Sequence, residues 1–155
     1  MQKLNLPDYD FQHRFEEGKL FILDPFRKKY VLKTPEEEVR QRFANYLVEE
    51  KGYPRSLIRT EYTLNLNRMV RRCDILVDKP AGSPVVLVEC KAPKVKISQD
   101  TFDQAARYNM VFQVPYLMVT NGLKHFCVQL DFATRKVDFM ESIPSYKDLK
   151  SSTIP

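Results

Sequence analysis

The sequence predicts an α/β domain, a central mixed β-sheet flanked by helices, within a single domain of 155 residues. Three observations predict it. Val85-Val86-Leu87-Val88 is an unbroken apolar run, as expected of a strand covered on both faces at the centre of a sheet. Segments with apolar residues at helical spacing precede and follow it, at 35 to about 51 and at 98–111. The remaining apolar stretches are short, rich in β-branched residues and bounded by turn signals. Hydrophobic residues make up 43% and aromatics 12%, enough for a proper core, so wholesale disorder is excluded.

The elements follow in order. Residues 20–24 and 30–32 read as two short strands around the turn Pro25-Phe26-Arg27-Lys28-Lys29. Thr34-Pro35-Glu36-Glu37 starts a helix: Thr34 caps, Pro35 suits the first helical position and Glu37 completes a capping box. Val39, Phe43, Tyr46 and Leu47 give that helix one buried face, and Gly52-Tyr53-Pro54 stops it. Strands are predicted at 57–66 and 69–77, followed by the turn-forming Asp78-Lys79-Pro80-Ala81-Gly82-Ser83-Pro84 and the apolar strand. Phe102, Ala106 and Met110 stack along the second helix. A strand at 116–120 meets Asn121-Gly122, a hairpin signal, and 124–130 returns from it. A last strand is predicted at 136–140. The core is expected over about 20–141, with a loose tail from 145 to 155.

Charge and composition narrow the function. Lys+Arg number 25 against 20 Asp+Glu, a formal net charge of +5, and the isoelectric point is near 9.1. That excess permits a polyanionic partner without establishing one. No apolar run reaches the ~20 residues that cross a bilayer, and Met1 to Asp8 lacks the apolar core of a signal peptide. Cys73, Cys90 and Cys127 form no Cys-x-x-Cys pair, so a zinc ribbon or disulfide framework is not expected. A cytoplasmic protein without membrane contact is the expectation. His125, beside the hairpin, reads as structural.

The chemistry concentrates between Arg71 and Lys91. Asp74 lies in the strand Arg71-Arg72-Cys73-Asp74-Ile75-Leu76-Val77, and Val88-Glu89-Cys90-Lys91 ends the apolar strand. Side chains alternate along a strand, so Glu89 and Lys91 share one face and Cys90 takes the other. Two strands joined by a short turn can set Asp74 beside Glu89. Adjacent carboxylates raise one another's pKa unless a cation intervenes, and such oxygen donors suit Mg2+. A Lys two residues on can position a water or offset charge developing on a phosphate. Glu-x-Lys by itself also ends many ordinary strands as a surface ion pair worth ~0–1 kcal/mol. On the second helix, Gln104 and Tyr108 lie four residues apart and share a face.

Together these residues resemble the PD-(D/E)XK nuclease superfamily: Asp74, Glu89 and Lys91 match its catalytic motif, and Gln104 and Tyr108 match the Gln-x-x-x-Tyr of its exonuclease-like branch. A closer resemblance covers about residues 21–131. Thr34-Pro35-Glu36-Glu37-Glu38-Val39-Arg40-Gln41, Gly52-Tyr53-Pro54, Arg72-Cys73-Asp74-Ile75 and Val88-Glu89-Cys90-Lys91-Ala92-Pro93 look like the N-terminal nuclease domain of type I restriction enzyme R subunits. The resemblance implies a restriction-endonuclease-like core and a DNA nuclease that uses Mg2+, for which Mn2+ can substitute. It implies Asp74, Glu89 and the Cys90 backbone carbonyl as metal ligands, and Lys91 as the residue that orients water or stabilises the transition state. It further implies a Glu on the first helix, with Glu37 preferred over Glu36, although Glu in a first turn also simply caps the helix. Gln41 lies one turn beyond Glu37.

Basic residues flank the motif. Arg68, Arg71 and Arg72 precede Asp74, and Lys91, Lys94 and Lys96 follow Glu89, where phosphates would need holding. Arg27-Lys28-Lys29 forms a third cluster, and each cluster is equally compatible with an ordinary solvated surface. Restriction-modification or helicase-like subunits are expected as partners. No Gly-x-x-x-x-Gly-Lys-[Ser/Thr] occurs in the 155 residues, so ATP-driven translocation is not expected of this stretch. The alternative is a non-catalytic DNA- or protein-binding module on the same fold. The sequence leaves DNA versus RNA open.

Overall fold

Apolar alternation and helical spacing resolve into a large sheet with a helix on each face and a smaller sheet beside it in sequence. The structure, a computed structural model, describes the backbone of residues 3–153 and the side chains of residues 3–149. Its strands are β1 (His13–Glu16), β2 (Lys19–Asp24), β3 (Lys29–Leu32), β4 (Ile58–Leu66), β5 (Met69–Asp78), β6 (Pro84–Cys90), β7 (Tyr116–Thr120), β8 (His125–Asp131) and β9 (Lys136–Met140). The α-helices are α1 (Pro35–Glu49), α2 (Gln99–Phe112) and α3 (Tyr146–Thr153). Strands β4 to β9 form a six-stranded sheet in sequence order, and β1 to β3 form a separate three-stranded antiparallel sheet.

The large sheet is mixed because α2 crosses over between β6 and β7, which pair in parallel while the other neighbours are antiparallel. Strand β7 is buried along its whole length, as are Val85 to Val88 of β6. Their side chains divide between two clusters. On one face Val39, Phe43, Ala44 and Leu47 of α1 pack on Ile75, Val77, Val86, Val88, Tyr116 and Met118. On the other, Phe102 and Ala105 of α2 pack on Leu76, Leu87, Leu117, Val119 and Val128.

The expected capping box forms only by half, because the Thr34 N–H donates to the Leu32 carbonyl at 3.1 Å and not to Glu37. The Thr34 side chain accepts the Glu37 N–H at 3.0 Å, and Pro35 opens α1. The β7–β8 hairpin turns at Asn121-Gly122. A Cβ on Gly122, at φ +85°, would stand 2.9 Å from Leu4 Cδ2 and 3.0 Å from Val39 Cγ2. Glycine is required there by backbone conformation and by space together.

Two features depart from expectation. Strand β1 was not foreseen; it is fully exposed, and its hairpin to β2 turns through Glu17 and Gly18, both at positive φ. The tail expected to be loose from 145 instead contains α3. Tyr53 donates its hydroxyl to the Pro144 carbonyl at 3.0 Å, the Tyr146 N–H donates to the Lys51 carbonyl at 2.9 Å, and Leu149 is buried in the α1-side core. Residues 154–155 lie outside the described part of that expectation.

Candidate functional site

The motif residues gather where β5 and β6 part. Backbone pairing of the two strands ends at Ile75 opposite Val88. The next position sets Asp74 against Glu89, and there a side chain replaces the ladder: Asp74 Oδ2 accepts the Cys90 N–H at 2.8 Å. The Cys90 side chain is buried in the α1-side core, opposite in sense to Glu89, as strand alternation requires.

Each carboxylate of the pair is held by an arginine. Asp74 Oδ1 accepts from Arg40 Nη2 at 2.7 Å, and Glu89 Oε1 accepts from Arg71 Nη2. Burial pushes the Glu89 carboxyl above its ordinary pKa; nearby Arg71 and Lys91 oppose the shift, while Asp74 and Glu36 add to it. A cavity of about 180 Å³ brings together Arg71, Glu89, Lys91, Thr101, Gln104 and Tyr108. The strand end and one face of α2 thus place four predicted residues, Glu89, Lys91, Gln104 and Tyr108, around one space. The Arg71 guanidinium also lies over the Tyr108 ring, 4.9 Å from its centroid, inside the ~6 Å reach of a cation–π contact.

The preferred glutamate on α1 does not reach this site. Glu37 is 7% exposed, and both its oxygens are engaged: Arg27 Nη2 donates at 3.0 Å, Arg40 Nη1 at 2.5 Å and Gln41 Nε2 at 2.9 Å. Gln41 shares Glu37's face as expected, but that face is turned inward, and Gln41 is 0% exposed. Glu36, with a 47% exposed side chain, is the less buried of the two and pairs at 3.5 Å with Arg40, which also holds Asp74. Its carboxyl is raised by burial and by Asp74, against Arg40 and Lys91, which places it within electrostatic reach of both motif groups. The correction follows from helix geometry: neighbours in a helix point about 100° apart, so only one of two consecutive glutamates can face the strand end.

A sequence model of the type I restriction enzyme R protein N terminus matches residues 35–144. The chain belongs to this family. The match starts at the first residue of α1 and ends just before α3, so the matched stretch includes the whole large sheet and leaves out β1 to β3. Among solved structures, a fragment of a chain assigned as an HsdR subunit of a type I restriction enzyme from Vibrio vulnificus YJ016 shares the fold. The TM-score is 0.52 and the identity 19%, over 75% of this chain and 24% of that one. The chain therefore spans about a quarter of that relative's length. No curated protein matches it.

Within this R-protein N-terminal fold, other predicted residues are dispersed. Arg72 is 78% exposed on its side chain and pairs with Glu61 at 2.6 Å. Exposed Lys94 lines a separate groove of about 680 Å³ with Lys3, Lys33 and Arg42. Arg27 belongs to no surface cluster: its Nε donates to buried Asp24 at 2.5 Å, and Asp24 also accepts from the Thr60 hydroxyl at 2.7 Å. Sequence reasoning missed Arg40, which binds Glu36, Glu37, Glu61 and Asp74. Its position one turn after Glu36 and Glu37 was the available signal. Among the described residues no cluster of three or more His, Cys, Asp or Glu side chains forms a metal-holding group. Asp74 and Glu89 are hard oxygen donors of the type Mg2+ takes with one or two carboxylates and several waters, so the donor chemistry fits even though both are arginine-paired.

Proposed function

We propose that the chain is the nuclease domain of a restriction-enzyme-related protein, hydrolysing DNA phosphodiester bonds with Mg2+. The observation that carries the reading is the grouping of Glu89, Lys91, Gln104 and Tyr108 around one small cavity, with Asp74 on the adjoining strand. Asp74, Glu89 and the Cys90 carbonyl would hold the ion. The chemistry Mg2+ supplies at such a site is neutralisation of a phosphoryl oxygen and acidification of water. Lys91, on the same face as Glu89, orients the attacking water or offsets charge on the phosphate. Gln104 and Tyr108 present an amide and a hydroxyl from α2 to the nucleic-acid backbone, which positions without reading sequence. Glu36 takes the place on α1 that was first given to Glu37. Restriction-modification or helicase-like subunits are the proposed partners.

Cleavage of plasmid and linear DNA with Mg2+ or Mn2+ tests this, against Asp74→Ala and Lys91→Ala. Each substitution is expected to abolish cutting; cleavage that survives both would sink the assignment. A second reading, a non-catalytic DNA- or protein-binding module, is favoured by the arginine pairing of both carboxylates. Calorimetry separates the two, because the module binds DNA in a salt-sensitive manner and takes up no Mg2+.

A further inference from the structure

The two arginines at the motif are held very differently. Arg40 is bound by four carboxylates, Glu36, Glu37, Glu61 and Asp74, at 2.5 to 3.5 Å. Arg71 has one carboxylate partner among the described residues, Glu89. Both arginines leave Nε without a hydrogen-bond acceptor, but only for Arg71 does this leave a buried guanidinium, 9% exposed on its side chain, tied to a single charged group. Its other contact is the face of Tyr108. The surroundings differ as well: Arg71 lines the cavity that holds Lys91, Thr101, Gln104 and Tyr108.

A carboxylate beside another carboxylate requires a cation. In the structure an arginine takes that role at each acid. An ion entering between the strands competes with these guanidinium groups for the carboxylates. Displacing Arg40 would strip compensation from four acids at once. Displacing Arg71 frees one acid and leaves the guanidinium on an aromatic face beside an open cavity.

We propose that Arg71 is the resident counter-ion of Glu89, and that a divalent cation binds by displacing it. The inference rests on the nuclease reading and deepens it. Once released, Arg71 remains over Tyr108 and turns its donors to a phosphate in the cavity, beside Lys91, Thr101 and Gln104. Guanidinium groups suit this exchange, since they serve carboxylate and phosphate with the same planar fork. Metal uptake and phosphate binding are thereby coupled through one side chain.

The experiment uses the full 155-residue chain without DNA. Mn2+ is titrated calorimetrically into wild type, Arg71→Gln and Glu89→Gln. Arg71→Gln is expected to bind about tenfold more tightly than wild type, and Glu89→Gln to lose binding. In parallel, the Arg71 Nε–H resonance of 15N-labelled wild type, assigned by its loss in Arg71→Lys, is followed during Mg2+ addition and is expected to shift. If wild type binds Mn2+ and Arg71→Gln binds no more tightly, the counter-ion inference is overturned while the nuclease reading stands. If neither binds, both are overturned. Should Arg71→Gln fail to fold, the wild-type resonance decides: a signal unmoved at saturating Mg2+ overturns the inference.

Discussion

Glu36 and Glu37 differ by one position in the sequence and by environment in every other respect. Glu37 was preferred for the site although a first-turn Glu can also simply cap its helix, and it does neither: Arg27, Arg40 and Gln41 consume its oxygens in the interior. The cost of losing each should differ accordingly. Glu37→Ala leaves two guanidinium groups short of a buried partner and is expected to cost about 3–5 kcal/mol. Glu36→Ala removes a half-buried first-turn charge and one long, 3.5 Å ion pair to Arg40, together worth about 1 kcal/mol. Urea denaturation of the two variants measures this; equal losses would contradict the assignment. The shared faces of Glu89 with Lys91 and of Gln104 with Tyr108 were legible because strand alternation and the four-residue helical repeat are local rules. Arg40 was not, because it meets Asp74 across 34 positions of chain, a contact no local rule encodes.

Elements with strong periodicity or caps were legible, and those that depend on tertiary support were not. Helix α1, helix α2 and the β7–β8 hairpin carry their own signals in Thr34-Pro35, Ser98 and Asn121-Gly122. Helix α3 is too short to show periodicity. It exists because Leu149 has a place in the α1-side core and Tyr146 packs edge-on against Tyr53, with ring centroids 5.4 Å apart. Leu149→Ala should therefore cost about 2–5 kcal/mol, as a buried leucine does, read as a lowered midpoint in urea. A loss below about 0.5 kcal/mol would mean that α3 contributes no packing to the domain. Strand β1 had one overlooked cue, Gly18, which takes a positive φ in the turn to β2.

Across the whole molecule, the N-terminal segment is fastened to the hairpin at the sheet's centre. Asn5 N–H donates to the Gly122 carbonyl at 2.7 Å. His125 lies between the Thr120 hydroxyl at 2.6 Å and the Asn5 carbonyl at 2.8 Å, and packs against Phe43 and Tyr46. A carbonyl only accepts, so Nε2 carries the proton and the neutral ring accepts from Thr120. Burial lowers the His125 pKa, the bond to Asn5 opposing it. Below the ordinary histidine value of 6.5, the unfolded chain then binds more protons than the folded one. Stability is accordingly full above that pH and falls as the pH drops toward the lowered folded value. Melting temperatures of wild type and His125→Gln across this interval should converge on acidification, with the variant showing the flatter profile; parallel profiles would contradict the assignment. The mixed topology was legible in outline, from the apolar β6 run and the helix that follows it. The separate three-stranded sheet was not, since which strands share a sheet is settled by long-range pairing.

The bond from the Cys90 N–H to Asp74 supplies a gauge of the site that is independent of the sheet. Most amides of β5 and β6 exchange with solvent when the strands separate, whereas this one answers to a single side chain. Asp74→Ala should accelerate deuterium uptake at Cys90 while leaving the amides around the Ile75–Val88 pair slow. Uptake rising along both strands together would mean that Asp74 holds the sheet closed. Uptake confined to Cys90 would let one proton report when the site rearranges, in the native state and without any substrate.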